Sequence, residues 1–467
     1  MIGYVLSYVI TALASLAALR RPLIGLYAYV GFAILRPQFI FRWAGDLSNL
    51  SLILGVALLA GWAINGFGKW EPGRSKPVVY ALLTYTGCYI ASASLAEFTD
   101  ASFKAVLELL KIVLPFCVGL TMIKEEREWK TLLWVIVLAQ GYVGFEQNLN
   151  YVRGYNTAAD GFGGMDNNCF GVSLVTVFGA AVGLVLISRK WWERAAAGTA
   201  AALILHTTLL TFSRGAMIGL LVIGVTAFIT LPKRPAYVAW ILVAALVAVR
   251  LTGPQLLARY STVVASSEER DGSAQSRLDL WADTLKVIAT QPVLGVGPAN
   301  WRLISYRYGW PPGKSAHSVW METGAEVGVP GTLALLAFFG FAALRLWPLA
   351  RKKVTSDNYY QVGASIGVIL GAVGFITSGQ FVSVVGLEAP YYIVLVGVIV
   401  IRDVHAHADE AAVSQVTAVT TGAAVVRTVS PTAPAAAARR PTRPKVASPG
   451  GTRLIPELGV RSQGRGA

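Results

Sequence analysis

Runs of about 20 apolar residues are what a chain needs to cross a bilayer as a helix, and this sequence has them from end to end. Examples are LILGVALLAGWAI at 52–64, CFGVSLVTVFGAAVGLVLI at 169–187 and IGVILGAVGFI at 366–376. Thirteen candidate spans follow: 2–19, 22–38, 48–66, 77–95, 104–123, 130–147, 168–188, 195–212, 214–231, 235–250, 329–347, 360–380 and 387–402. The composition agrees, with 55% of residues hydrophobic and 14% charged. A soluble domain carries about 25% charged residues, so this chain lacks the charge to cover a water-facing surface. The expected fold is an all-α polytopic membrane protein of 12–13 transmembrane helices, with short amphipathic helices in a large outer loop. The thirteen Trp and eighteen Tyr suit interfacial belts, where a ring with a polar tip finds partners on both sides. The opening MIGYVLSYVITALASLAALRR lacks a basic lead-in and is read as a retained first helix.

Lysine and arginine collect in alternate loops, which fixes the sides. The rich set is Arg20 and Arg21; Lys69, Arg74 and Lys76; Lys124, Arg127 and Lys130; Arg189, Lys190 and Arg194; Lys233 and Arg234; Arg345, Arg351, Lys352 and Lys353. These loops are expected on the cytoplasmic side. The intervening ones are poorer: Arg36 and Arg42, the acidic turn Glu97 to Asp100, Arg153 alone in 148–167, and Arg214. The segment 251–328 belongs to the outer set, because long loops translocate whatever their charge. Residues 1–402 are then one transmembrane domain. The tail 403–467, rich in Ala, Pro, Thr and Arg, is expected to be a disordered cytoplasmic extension. His405 and His407 at its start are read as solvated.

The net charge of +15 does not point to nucleic acid, because no basic patch is interleaved with stacking aromatics. Cys88, Cys117 and Cys169 are few, odd in number and far apart, so neither a disulfide framework nor a cysteine metal site is implied. No cofactor is expected, and Asp160 and Asp166 are too sparse to hold Mg²⁺. No repeat of fixed period marks an inverted-repeat transporter.

Chemistry-bearing residues gather in the outer segments. Arg214, in TFSRGAMIGLL, opens a span, where the helix dipole opposes a cation. It either joins the free N–H groups of that turn in an anion site or snorkels to lipid headgroups. Ser276 and Asp279 form an S-x-x-D capping box. Leu278, Trp281, Leu285 and Ile288 then recur at helical spacing, so an amphipathic helix is expected over about 277–289 on the membrane surface, with Arg277 its first residue. GVGPAN at 295–300 and PPGK at 311–314 lack the context of nucleotide-binding loops and read as turns. His317 sits just before an apolar run and can take a proton near neutral pH. Glu322 or Glu326 can orient it or face solvent, and the histidine itself is either structural or a base. His206, inside the eighth span, reads more simply as a hydrogen-bonded core histidine than as a functional one.

Taken together, SRGA at 213–216, R-x-x-x-W at 277–281, P-x-x-G-x-G at 292–297, AHS at 316–318 and E-x-G-x-P-G at 326–331 resemble the O-antigen ligase and O-antigen polymerase superfamily. The resemblance runs from about residue 130 to 400, and earlier spans match in hydropathy only. MDNNCFG at 165–171 is similar to the exosortase-associated O-glycosylation ligases. The resemblance implies transfer of a glycan from undecaprenyl diphosphate to a glycan, lipid or protein acceptor at the periplasmic face of the bacterial inner membrane. It implies that Arg214, Arg277 and more weakly Arg307 hold the departing diphosphate and that His317 takes the acceptor's proton, with direct, inverting, metal-free displacement. Asp166 and Asn167, in the MDNN stretch, are further substrate-binding candidates. The alternatives are a polymerase of lipid-linked repeats and, from another class, a lipid or solute transporter.

Overall fold

A computed structural model describes residues 2–41, 47, 49–231, 272–384 and 387–404. The expected span 235–250, the start of the outer segment at 251–271 and the tail beyond 404 lie outside the described residues. The described residues form helices joined by turns, with no strand among them and one isolated bridge between Phe162 and Met165. The helices are α1 (Ile2–Arg20), α2 (Pro22–Leu35), α3 (Pro37–Ile40), α4 (Leu50–Ile64), α5 (Lys76–Ser94), α6 (Thr99–Met122), α7 (Glu126–Val152), α8 (Asn167–Ile187), α9 (Trp191–Leu210), α10 (Arg214–Thr230), α11 (Gly272–Thr290), α12 (Trp301–Ile304), α13 (Val319–Ala350), α14 (Tyr359–Gly379) and α15 (389–404). Each expected span within the described residues carries a helix. Among the described residues, six segments are long and apolar enough to cross a membrane on their own: α1, α2 with α3, α6, α8, α13 and α14. Helices α4 and α10 are apolar but shorter. The protein is an all-α, multi-pass membrane protein.

Proline and glycine set the local shapes. The expected span 22–38 is interrupted at Arg36, which takes φ 47° between α2 and α3. Pro37 bars the residue before it from the helical region, and the Arg36 guanidinium then bonds the Gly163 carbonyl and pairs with Glu388 at 3.5 Å. Inside α6, Pro115 has no N–H for the carbonyl of Lys111. The hydroxyls of Tyr29 (2.8 Å) and Tyr392 (3.5 Å) donate to that carbonyl instead, joining three helices.

The tightest crossing is between α8 and α14. Gly179 and Gly183 face Gly371 and Gly367, and a Cβ on Gly183 would stand 2.5 Å from the Gly367 Cα. Lipid offers no hydrophobic drive to helix pairing, so close backbone approach through small residues is what holds such a pair.

The loops segregate to two ends of the bundle in the alternation expected from their charges. At one end Arg189 donates to the Ser356 carbonyl (3.1 Å), Arg194 to the Tyr359 hydroxyl (3.2 Å), and Arg402 to the carbonyls of Leu120 (3.2 Å) and Ile123 (2.8 Å). At the other end Ser102 donates to the Pro298 carbonyl (2.8 Å), Asn167 to the Thr211 carbonyl (2.9 Å), and Arg307 pairs with Glu97. All the sequence-derived site candidates that the structure describes lie on this second end.

Helix α11 departs from expectation. It begins at Gly272, so Ser276 is interior and no capping box forms there. Asp279 accepts instead from Gln275 Nε2 (3.0 Å), one turn back. Arg277 is therefore in the second turn and is not a helix-start cation. The buried face is also different. Leu280, Thr284 and Val287 pack inward, whereas Leu278 (48%) and Leu285 (51%) are exposed. Apolar residues surround much of this helix, and the cluster of Trp301, Ile304, Ala316 and Ala325 selects which of them it covers.

Gly183→Ala should lower the melting midpoint in detergent, because overpacking at a rigid contact costs about 1–3 kcal/mol. Gly198→Ala, in α9 with open space around its Cβ position, should melt at or above the parent, since Ala favours a helix over Gly by about 1 kcal/mol. Equal melting of the two variants would contradict the close crossing.

Candidate functional site

The span that follows the outer segment is broken. Within α13, Gly328 has φ 79° and ψ 178°, which interrupts the helical ladder. The backbone groups released there need partners, because lipid supplies none. The turn 291–297 provides them. Val296 N–H donates to the Ala325 carbonyl (2.9 Å), Gly297 N–H to the Glu326 carbonyl (2.9 Å), and Val329 N–H to the Pro292 carbonyl (2.8 Å). Ser92 Oγ of α5 also donates to the Glu326 carbonyl (2.6 Å). Only glycine fits at the contact: Gly295 has φ 64°, and a Cβ on it would lie 2.5 Å from the Ala325 oxygen. The P-x-x-G-x-G and E-x-G-x-P-G stretches are thus two halves of one backbone joint.

That joint fixes the first half of α13, and His317 lies just ahead of it. The preceding residue is held from both sides. Ala316 N–H donates to Glu322 Oε2 (2.9 Å), and the Ala316 carbonyl accepts from Trp281 Nε1 of α11 (3.0 Å). The following residue, Ser318, caps α13 by accepting from Met321 N–H (3.3 Å). Between these anchors His317 takes φ 51°, in the left-handed region. A non-glycine residue there costs about 1 kcal/mol or more and persists only where its surroundings impose it. The imidazole is half-buried.

The charged groups acting on His317 come from four elements. Burial contributes most to holding its pKa below the ordinary 6.5; Arg277 of α11 and Lys314 of the loop push the same way, and Asp166 and Glu322 oppose them. The ring is therefore neutral at pH 7 and available to accept a proton.

Of the two roles the sequence offered for Glu322, orienting His317 or facing solvent, the second does not hold: it is 2% exposed. Its pairing with Arg302 was not foreseen. One oxygen accepts from Arg302 Nε at 3.2 Å; the other accepts from Ala316 N–H and from the Ser383 hydroxyl. Glu326, also 2% exposed, accepts from Trp301 N–H (3.2 Å). Both carboxylates bind groups of the outer segment, Glu322 reaching Arg302 and Glu326 reaching Trp301, pairings 20 and 25 positions apart that no local pattern reveals.

Arg214 opens α10 as expected. Ser213 caps the helix and donates to Asn168 Oδ1 (2.9 Å), which ties the SRGA turn to the start of α8. A Cβ on Gly215 would lie 2.9 Å from the Phe381 Cβ, so that loop approaches the turn closely. Asp166 caps α8 by accepting from Cys169 N–H (2.7 Å), and Asn167 donates to the Thr211 carbonyl. Both residues thus have structural work at this end. Cys169 Sγ reaches the Ser383 carbonyl at 3.7 Å, and Ser383 in turn bonds Glu322. A continuous set of hydrogen bonds therefore joins the starts of α8, α10 and α13. Arg307 stands apart in an exposed two-point ion pair with Glu97 (2.5 and 2.9 Å). His206 bonds Asn148 and meets the edge of Tyr151, the structural reading expected for it.

A helical membrane bundle with a broken span and a polar, charged cluster under an amphipathic cap at one end defines the general class. Residues 199–336 match the family model described as O-Antigen ligase. Residues 1–168 match a family of unknown function. No curated protein matches the chain. The match supports a membrane role in glycan transfer of the ligase or polymerase type, with lipid-linked glycan and acceptor as partners.

The held conformation of His317 predicts an order of stability. His317→Gly should melt at or above the parent and His317→Val below it, because a β-branched residue is strained at positive φ. A Val variant as stable as the Gly variant would show that the φ of 51° is not imposed.

Proposed function

We propose that the protein is a ligase-type glycosyltransferase. It moves a glycan from undecaprenyl diphosphate to an acceptor on the periplasmic side of a bacterial inner membrane, by direct inverting displacement without a metal. The observation that carries this reading is His317, anchored between Trp281 and Glu322 at positive φ inside the stretch that matches the O-antigen ligase model. The excess of Lys and Arg at the opposite end supports a cytoplasmic face there and a periplasmic site.

Departure of a diphosphate spreads negative charge that fixed guanidinium groups stabilise. Arg214 and Arg277 do this, with Arg307, engaged by Glu97, as a weaker third. Asp166 and Asn167 border the substrate space. An acceptor hydroxyl is a weak nucleophile until a placed base removes its proton, an effect of about 10²–10⁴-fold, and His317 is that base. The MDNN stretch favours a ligase of the exosortase-associated kind over a polymerase. The products decide: a glycan joined to protein, lipid or glycan acceptor for the one, a longer lipid-linked polymer for the other.

Purified protein given lipid-linked oligosaccharide and candidate acceptors in EDTA should form product, and His317→Ala should lose at least about 100-fold of the rate. A folded His317→Ala that transfers at the parental rate rules out the base. The pH dependence gives a second check. Above the lowered pKa the imidazole is neutral and active; as pH falls through it, protonation removes the base. The acid limb of kcat/KM should therefore lie below 6.5. Arg277→Gln removes a cation that lowers this pKa, so the limb of its residual activity should move up. A parental limb above 6.5, or a downward move in the variant, contradicts the assignment.

A further inference from the structure

Arg302 was not among the residues that sequence motifs singled out, yet it is tied to the site through a buried carboxylate. Its carbonyl accepts from Gly313 N–H and Ser305 Oγ, both at 3.1 Å, so its backbone is fixed. Its Nε donates to Glu322, whose side chain is 3% exposed, while 47% of the Arg302 side chain is open to solvent. Among the described residues its two terminal Nη groups have no hydrogen-bond partner. Partial burial works against its charge, and the Glu322 carboxylate nevertheless keeps its pKa above the ordinary value; Cys169, in the first turn of α8, is also within its electrostatic reach. The guanidinium is thus anchored by one nitrogen at the meeting point of α8, α12 and α13, with its remaining fork unoccupied. A planar fork with free, fixed N–H groups is suited to phosphate oxygens.

The same carboxylate holds the backbone one residue before His317. We infer that Arg302 binds a phosphate oxygen of the lipid diphosphate, and that Glu322 is the positioning residue that aims Arg302 and the His317 loop together. The inference rests on the glycan-transfer reading above. It adds a third arginine to the diphosphate set, linked through Glu322 to the loop that carries the base, whereas the fork of Arg307 is taken by Glu97.

Binding can be separated from turnover by working with His317→Ala throughout. The probes are undecaprenyl diphosphate and uncharged undecaprenol, each titrated in detergent, and the readout is the ratio of their affinities. Arg302→Ala should reduce that ratio about tenfold. Arg302→Lys should reduce it partly, since charge remains but the fork is lost. Glu322→Gln should reduce it as well. In an otherwise native protein, Glu322→Gln should also shift the acid limb of transfer to lower pH, because the Glu322 charge raises the His317 pKa against Arg277 and Lys314, alongside Asp166. A merely structural carboxylate would change melting without moving either quantity. A parental affinity ratio in Arg302→Ala or Arg302→Lys, with parental melting, overturns the phosphate role. An unmoved ratio and limb in Glu322→Gln overturns the positioning role. The titrations do not depend on His317 being the base, so failure of that assignment is seen separately, as activity in His317→Ala.

Discussion

A break in a membrane helix is tolerated only where the freed backbone groups find partners inside the protein. At Gly328 those partners are the N–H and carbonyl groups of the turn 291–297 and the hydroxyl of Ser92. The outer segment is thus bonded into the bundle through its backbone, at an interface too close for any side chain on Gly295 or Gly328. Everything that follows in the chain inherits that anchorage. The half-helix before the break carries Glu322 and Glu326 inward, and each carboxylate reaches back to the outer segment that the joint has already brought near.

The consequence is a site assembled from parts far apart in sequence. Trp281 of α11 and Glu322 of α13 hold both backbone groups of one residue, Ala316, and His317 is the residue that must bend to satisfy both. Strain of this kind is maintained by the surroundings and fixes a side chain's direction. On the proposed reading, a base held in place before substrate arrives needs no reorganisation when the acceptor's proton is taken. The α8 and α10 starts join the same network through Asn168 with Ser213 and Cys169 with Ser383. The SRGA turn and the histidine loop thereby belong to one end of the bundle.

Much of this was legible in the sequence and some was not, for physical reasons. Hydropathy reveals spans because lipid leaves the chain few alternatives, and each described span was found by it. The loop alternation was likewise readable from Lys and Arg alone. The start of α11 was not. Ser276 and Asp279 have the spacing of a cap, but Gln275 reaches Asp279 first and the helix continues back to Gly272. Its buried face was misjudged because Leu278 and Leu285 are as apolar as Leu280, and only the tertiary partner chooses between them. Arg214 and His317 carried motif signals. Glu322 was named beside His317, but its pairing with Arg302 was not legible, since an ion pair across twenty positions leaves no local period to detect.

The broken helix also bears on whether this architecture suits transport or transfer. Transporters place free polar groups on interrupted helices near the middle of the membrane, where a passing solute exchanges with them. Here Glu322 is bonded to Arg302, Ala316 and Ser383, and Glu326 to the backbone of Trp301. Releasing either carboxylate to a solute would leave buried donors unpaired, each at a cost of about 1–3 kcal/mol. Their commitment is to holding the outer loop still. On the proposed reading, a loop fixed in this way, with His317, Arg277 and Lys314 gathered on it or beside it, aligns two reactants at one end of the bundle rather than opening a path through the middle.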